Sequence, residues 1–159
     1  MNVTGFFHYG VAVPDIQAAT DFFSKVLKLE VIQKRAINDI YLSNLVGARD
    51  AQAEVVMIKI GEGALLELLE WDRETTPNVT NHNSQDFVQS LIIPGTQHLC
   101  IYVDDALSFY NLFKTTNGVK LVSDSLIEIP IGPNKGAKVF FARVFDVLFI
   151  EIFQKPDYL

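Results

Sequence analysis

The chain has 159 residues, of which 49% are apolar and 20% charged, and a mean hydropathy of +0.21. A disordered chain needs low hydrophobicity and high net charge, so the composition excludes disorder and fits one compact domain or two half-size modules. Thirteen Lys and Arg against nineteen Asp and Glu give a net charge of −6 without a basic cluster, so neither nucleic acid nor an anionic membrane is an expected partner.

Residues 6–12 alternate as a strand, with Phe7, Tyr9, Val11 and Val13 on one face and His8, Gly10 and Ala12 on the other. Asp15 then caps a predicted helix in which Ile16, Ala19, Phe23 and Leu27 share a face. Strands follow near 29–36, 53–60 and 64–71, with 43–52 read as a loop. Residues 73–96 carry Pro, Asn, Thr and Ser and read as a linker, with a short helix through Phe87 to Leu91. A strand at 98–103 leads into a helix that Asp104 and Asp105 start and Asn117-Gly118 stops. Strands near 119–127, 137–145 and 147–154 complete the chain, with the Gly- and Pro-bearing loop 130–137 a candidate lid.

The order strand, helix, three strands thus occurs twice. His8 and His98 open equivalent strands, Val13 and Val103 close them, and Asp15 and Asp105 follow. The ends match as well: Ala64-Leu-Leu-Glu-Leu-Leu-Glu70 aligns with Leu148-Phe-Ile-Glu-Ile-Phe-Gln154. Two copies of one supersecondary unit are expected, modules 1–72 and 97–155 of a single domain.

Polar residues then stand out on apolar strands. Glu67 lies between Leu65 and Leu69, and Glu151 between Phe149 and Phe153, while the intervening residues are also apolar. A carboxylate there needs a proton, a cation or a metal, because its unpaired burial costs several kcal/mol. Taken singly, each His is as readily a core residue and each Glu a surface one. Their repetition at equivalent positions points instead to a two-His, two-Glu metal site formed by His8, Glu67, His98 and Glu151. Trp71, Tyr102, Phe141 and Phe153 stand on strands near these residues, either as pocket rim or as core. Lys135 and Arg143 are candidates to hold a substrate carboxylate or phosphate, or else solvated surface cations.

His8-Tyr-Gly-Val-Ala-Val-Pro-Asp, Phe22-Phe-Ser-Lys-Val-Leu-Lys-Leu-Glu30, the His98 copy and the two Glu strands resemble the vicinal oxygen chelate superfamily over nearly the whole chain. That superfamily includes glyoxalase I, methylmalonyl-CoA epimerase, extradiol dioxygenases and the fosfomycin and bleomycin resistance proteins. The resemblance implies an α+β fold of two βαβββ modules curled into an open barrel around a divalent metal, with His8, Glu67, His98 and Glu151 as ligands. Three departures are visible. The family's Asp-Pro-x-Gly turn is here Val144-Phe-Asp-Val147, the first-strand Arg of glyoxalase I is here Ala12, and the epimerases' Gln is here Glu67.

Two imidazoles and two carboxylates suit Zn, Ni, Co, Mn or Fe. The expected function is a glyoxalase-type lyase or isomerase that stabilises an enediolate on a small vicinal-oxygen substrate, with Glu151 as base and Glu67 second. An Fe(II) extradiol-type dioxygenase and a non-catalytic drug-binding resistance protein are the alternatives. A homodimer is expected, its modules paired within one chain or exchanged between two. No apolar run reaches the roughly 18 residues of a membrane helix, and residues 1–15 lack a signal-peptide pattern. With Cys100 the single cysteine, a cytoplasmic location is expected.

Overall fold

Asp15 and Asp105 each end an extended segment and accept a hydrogen bond from a backbone N–H three residues on, Ala18 at 2.8 Å and Ser108 at 3.0 Å. These side chains satisfy donors that a helix start leaves orphaned, so a helix follows each strand. The computed structural model describes residues 5–72, 91 and 94–156, and the chain divides into two compact units, Met1–Thr80 and Asn81–Leu159.

Unit 1 holds β1 (His8–Ala12), α1 (Ile16–Asp21), β2 (Glu30–Ile37), α2 (Ile40–Val46), β3 (Ala53–Ile60) and β4 (Ala64–Trp71). Its strands lie in the order β1-β4-β3-β2, with β1 parallel to β4 and the other pairs antiparallel. α1 runs on into one π-helical turn, Phe22–Val26, where the Thr20 and Ser24 hydroxyls donate to the carbonyls of Ile16 and Thr20. Ala19 and Phe23 are fully buried on the helix, as are Ile58, Leu66 and Leu68 on the strands.

Unit 2 repeats the order with β5 (His98–Tyr102), α3 (Ala106–Thr115), β6 (Val119–Leu121), β7 (Ile127–Glu128), β8 (Lys138–Val144) and β9 (Leu148–Gln154). The path is β5-β9-β8-β6, with β5 parallel to β9 and β7 beside β8. Its core joins α3 to the sheet through Tyr110 and Phe113, whose rings meet Phe140 edge-on at 5.2 and 5.6 Å. Burying a ring of this size contributes about 1.5–3 kcal/mol.

Both units therefore follow the expected βαβββ order, and three local expectations are corrected. The predicted loop 43–52 contains most of α2, which Asp39 caps by accepting from Leu42 and which Gly47 ends at a left-handed φ of 70°. The predicted strand 119–127 is broken into β6 and β7 because Ser123–Ser125 turn, with Ser123 Oγ–H donating to the Ser125 carbonyl. The first strand starts at His8, leaving Phe6 and Phe7 about 70% exposed (69% and 70%). Of the predicted helix from Phe87 to Leu91, all but Leu91 lies outside the described residues, as do 73–90 of the predicted linker.

Candidate metal centre

In unit 1 the register puts Gly10 beside Glu67 and Met57 beside Glu67 in turn, so His8, Gly10, Glu67 and Met57 share one sheet face. His8 Nε2 lies 3.3 Å from Glu67 Oε2, with the two side chains 32% and 17% exposed. A Cβ at Gly10 would stand 3.6 Å from Glu67 Oε2 and 3.9 Å from His8 Cδ2. Glycine thus leaves open the space beside the pair. The other ring nitrogen, His8 Nδ1, is buried with no hydrogen-bond partner among the described residues. Nε2 is therefore the ring nitrogen presented to Glu67.

Unit 2 has the same arrangement. His98 Nε2 lies 3.2 Å from Glu151 Oε2, and Cys100 occupies the place of Gly10 in register with Glu151. Partial desolvation on this exposed strand face, and then the Glu151 carboxylate beside it, push the Cys100 thiol up to about 11. The face is aromatic: Phe141 meets His98 edge-on at 5.2 Å, and Phe153 meets Tyr102 at 5.7 Å.

The structure brings each His together with the Glu of its own unit. Within neither unit, among the described residues, do three His, Cys, Asp or Glu side chains gather as a metal site. Each unit therefore supplies one nitrogen and one oxygen donor. These donors fit a divalent ion of the Zn, Ni, Co, Mn or Fe group, which takes imidazole nitrogen together with carboxylate oxygen.

The remaining predicted residues are distributed as follows. Phe141 and Phe153 share the face of Glu151, and so do Tyr102 and Arg143 by register. The Arg143 guanidinium donates to the Asp146 carbonyl and lies over the Phe149 ring. Lys135 is exposed in loop 130–137, which is tied by Gly136 N–H to the Ile129 carbonyl at 2.8 Å. Trp71 packs against the cluster of Ile37, Leu42, Ala51, Ala53 and Val55 beneath α2. A cleft of about 640 Å³ between α2 and residues 47–52 contains none of the four His and Glu.

Sequence reasoning missed two pieces of this site. Glu70 Oε2 accepts from Ile16 N–H at 2.7 Å, and Gln154 Oε1 accepts from Ala106 N–H at 2.9 Å. The repeat alignment had already paired these two residues, and that was the available signal. The second is the β-bulge of β2 between Val31 and Gln33, which has no signal in strand alternation.

The sequence matches the Glyoxalase/Bleomycin resistance protein/Dioxygenase superfamily over residues 7–141, and the chain belongs to that family. No curated protein matches it. A glyoxalase family protein from Bacillus cereus is similar in structure, with a TM-score of 0.78 at 14% identity over 98% of this chain and 97% of the other. The trypanothione-dependent glyoxalase I of Leishmania major gives 0.62 at 17% identity, over 96% and 87%. The fosfomycin resistance protein FosX of Listeria monocytogenes, solved with Mn(II) and sulfate, gives 0.55 at 13% identity, over 99% and 97%. At these identities the likeness establishes the fold. Among the described residues no helix is long and apolar enough to cross a membrane.

Proposed function

We propose that the chain is a metal-dependent lyase or isomerase of glyoxalase type, with His8, Glu67, His98 and Glu151 as ligands of one divalent ion. Its substrate is a small molecule with two neighbouring oxygens. The observation that carries the reading is the repeated His–Glu pair, at 3.3 Å in unit 1 and 3.2 Å in unit 2, on matched strands. A merely structural duplication has no reason to repeat two polar residues that are costly to bury. The Mn(II) in the Listeria protein supports a divalent ion, and the Leishmania glyoxalase I supports the reaction class.

When bound, the ion supplies Lewis acidity to the two substrate oxygens. Glu151 takes the proton from the carbon beside them and returns it to the neighbouring carbon. Its side chain is 18% exposed against 17% for Glu67, so exposure does not separate the two. Surroundings do: Glu151 stands among Phe141, Phe149 and Phe153, whereas Glu67 faces Met57, Leu65 and Leu69 beside the open Gly10. A homodimer in the cytoplasm completes the proposal.

Elemental analysis after loading with Zn, Ni, Co, Mn or Fe tests it. His8→Ala and His98→Ala should each fall well below one metal per site. Wild-type stoichiometry in both variants overturns the reading, and a metal-free wild type favours a sequestering protein.

A further inference from the structure

The β2 bulge sets which side chains of that strand face the His8–Glu67 pair. Before it, Glu30 opposes Lys59; after it, Gln33 opposes Met57, Arg35 opposes Val55 and Ile37 opposes Ala53. Met57, Val55 and Ala53 are themselves in register with Glu67, Leu69 and Trp71. The bulge therefore turns Arg35 onto the face of His8 and Glu67 and sends Lys34 to the other face, where it acts on Asp21 of α1. An unbulged β2 would do the reverse. Bulges re-aim side chains in this way beside functional sites.

Arg35 is exposed and has no hydrogen-bond or ion-pair partner among the described residues. The other cations that register places on these two faces have an opposite charge or an acceptor beside them. Lys59 faces Glu30 directly across the ladder. Lys120 is paired with Asp146 at 2.6 Å, and Arg143 is held by the Asp146 carbonyl. Arg35 instead faces buried Val55.

Two strand spacings of about 4.8 Å and two residues of about 3.3 Å put its Cα about 12 Å from that of Glu67. Met57, Val55 and Leu69 stand between them on the same face, with Val55 and Leu69 packed in the cluster beneath α2. The donor pair and the guanidinium thus stand on one sheet face with apolar side chains between them.

We infer that Arg35 holds a carboxylate of the substrate, so that the substrate class is a small carboxylate with two neighbouring chelating oxygens at its opposite end. This deepens the metal-dependent reading and rests on it. A single guanidinium matches a monoanionic carboxylate by two parallel N–H···O bonds. In a chain of net charge −6, one such cation is a selective feature.

The test uses two probes with the same chelating head, butyrohydroxamate with a methyl tail and succinic monohydroxamate with a carboxylate tail. Their dissociation constants are measured by calorimetry on the full chain loaded with Mn(II), whose content is determined first. Wild type should bind the carboxylate-tailed probe about tenfold more tightly, the scale of a charge-assisted hydrogen bond. Arg35→Gln should abolish that gap without changing the methyl-tailed probe, Arg35→Lys should keep part of it, and Lys59→Gln should keep all of it. Metal bound with equal affinity for both probes, with neither probe bound, or with the gap intact in Arg35→Gln overturns the Arg35 proposal alone. Absence of bound metal overturns the metal reading and this inference with it.

Discussion

Unit 1 closes one end of its donor face with α2, whose Leu42 packs on Ile37, Ala53 and Val55. In unit 2 the corresponding stretch between β6 and β8 is turns and the two-residue β7, and aromatic rings stand on the face. Gly10 beside Glu67 becomes Cys100 beside Glu151, and a charged cap on α1, Glu70, becomes the neutral Gln154 on α3. The two copies agree in the His–Glu pair and the helix caps and differ in what surrounds them. The duplicated scaffold thus repeats a His–Glu pair while giving each copy different neighbours.

The sharpest break in that near-symmetry is expected between the two carboxylates. Glu151→Gln keeps an oxygen donor and the volume but removes the proposed base, so turnover on a substrate found by screening should fall by roughly 10²–10⁴ with metal still bound. Glu67→Gln should fall much less. Equal losses would make the two units chemically equivalent, and unchanged turnover in Glu151→Gln would move the base elsewhere.

The cover helix gives the next largest effect. Leu42 is 4% exposed in the α2 cluster. Leu42→Ala should cost about 2–5 kcal/mol in urea unfolding, through lost burial and the cavity left behind. A cost below about 1 kcal/mol would mean that α2 is not packed on the sheet as described.

The caps come third. Hydrogen bonds to charged groups contribute about 1.5–3 kcal/mol and neutral ones about 0.5–1.5. Glu70→Ala should therefore destabilise more than Gln154→Ala, both read by thermal unfolding. The reverse order would remove charge as the distinguishing feature.

How much of this was legible in the chain follows from how local each signal is. The donor strands were readable because alternation is local: His8 and Glu67, like His98 and Glu151, each stand where a strand face should be apolar. The helix starts were readable because Asp15 and Asp105 cap within three residues. α2 was missed although Asp39 and Gly47 bracket it, because seven residues carry too little periodicity to show an apolar face. The facing of Arg35 was not legible at all. It depends on a one-residue slip against β3, and such a slip is decided by the partner strand and leaves no local mark. The two-residue center of the β8–β9 turn shows the same limit. Phe145 and Asp146 take left-handed φ values of 54° and 56° without glycine, supported by the Lys120–Asp146 pair and by Phe145 N–H on the Gly118 carbonyl.

The smallest expected effect concerns the cap of α3. Asp105 accepts from both the hydroxyl and the backbone N–H of Ser108, which hold its carboxyl below the ordinary 3.8. In unit 1 the residue at the matching place is Ala18, which has no hydroxyl to add. A carboxyl lowered on folding contributes stability that is present above its unfolded value and lost as pH falls through the folded one. Asn also caps helices but does not titrate in this range. Wild type should therefore melt slightly above Asp105→Asn at pH 7, and the difference should shrink as pH falls below 3.8. Taking the difference between the two proteins cancels the acid sensitivity of the other carboxylates. A gap that is constant or widens on acidification would show that the charge on Asp105 plays no part in holding α3.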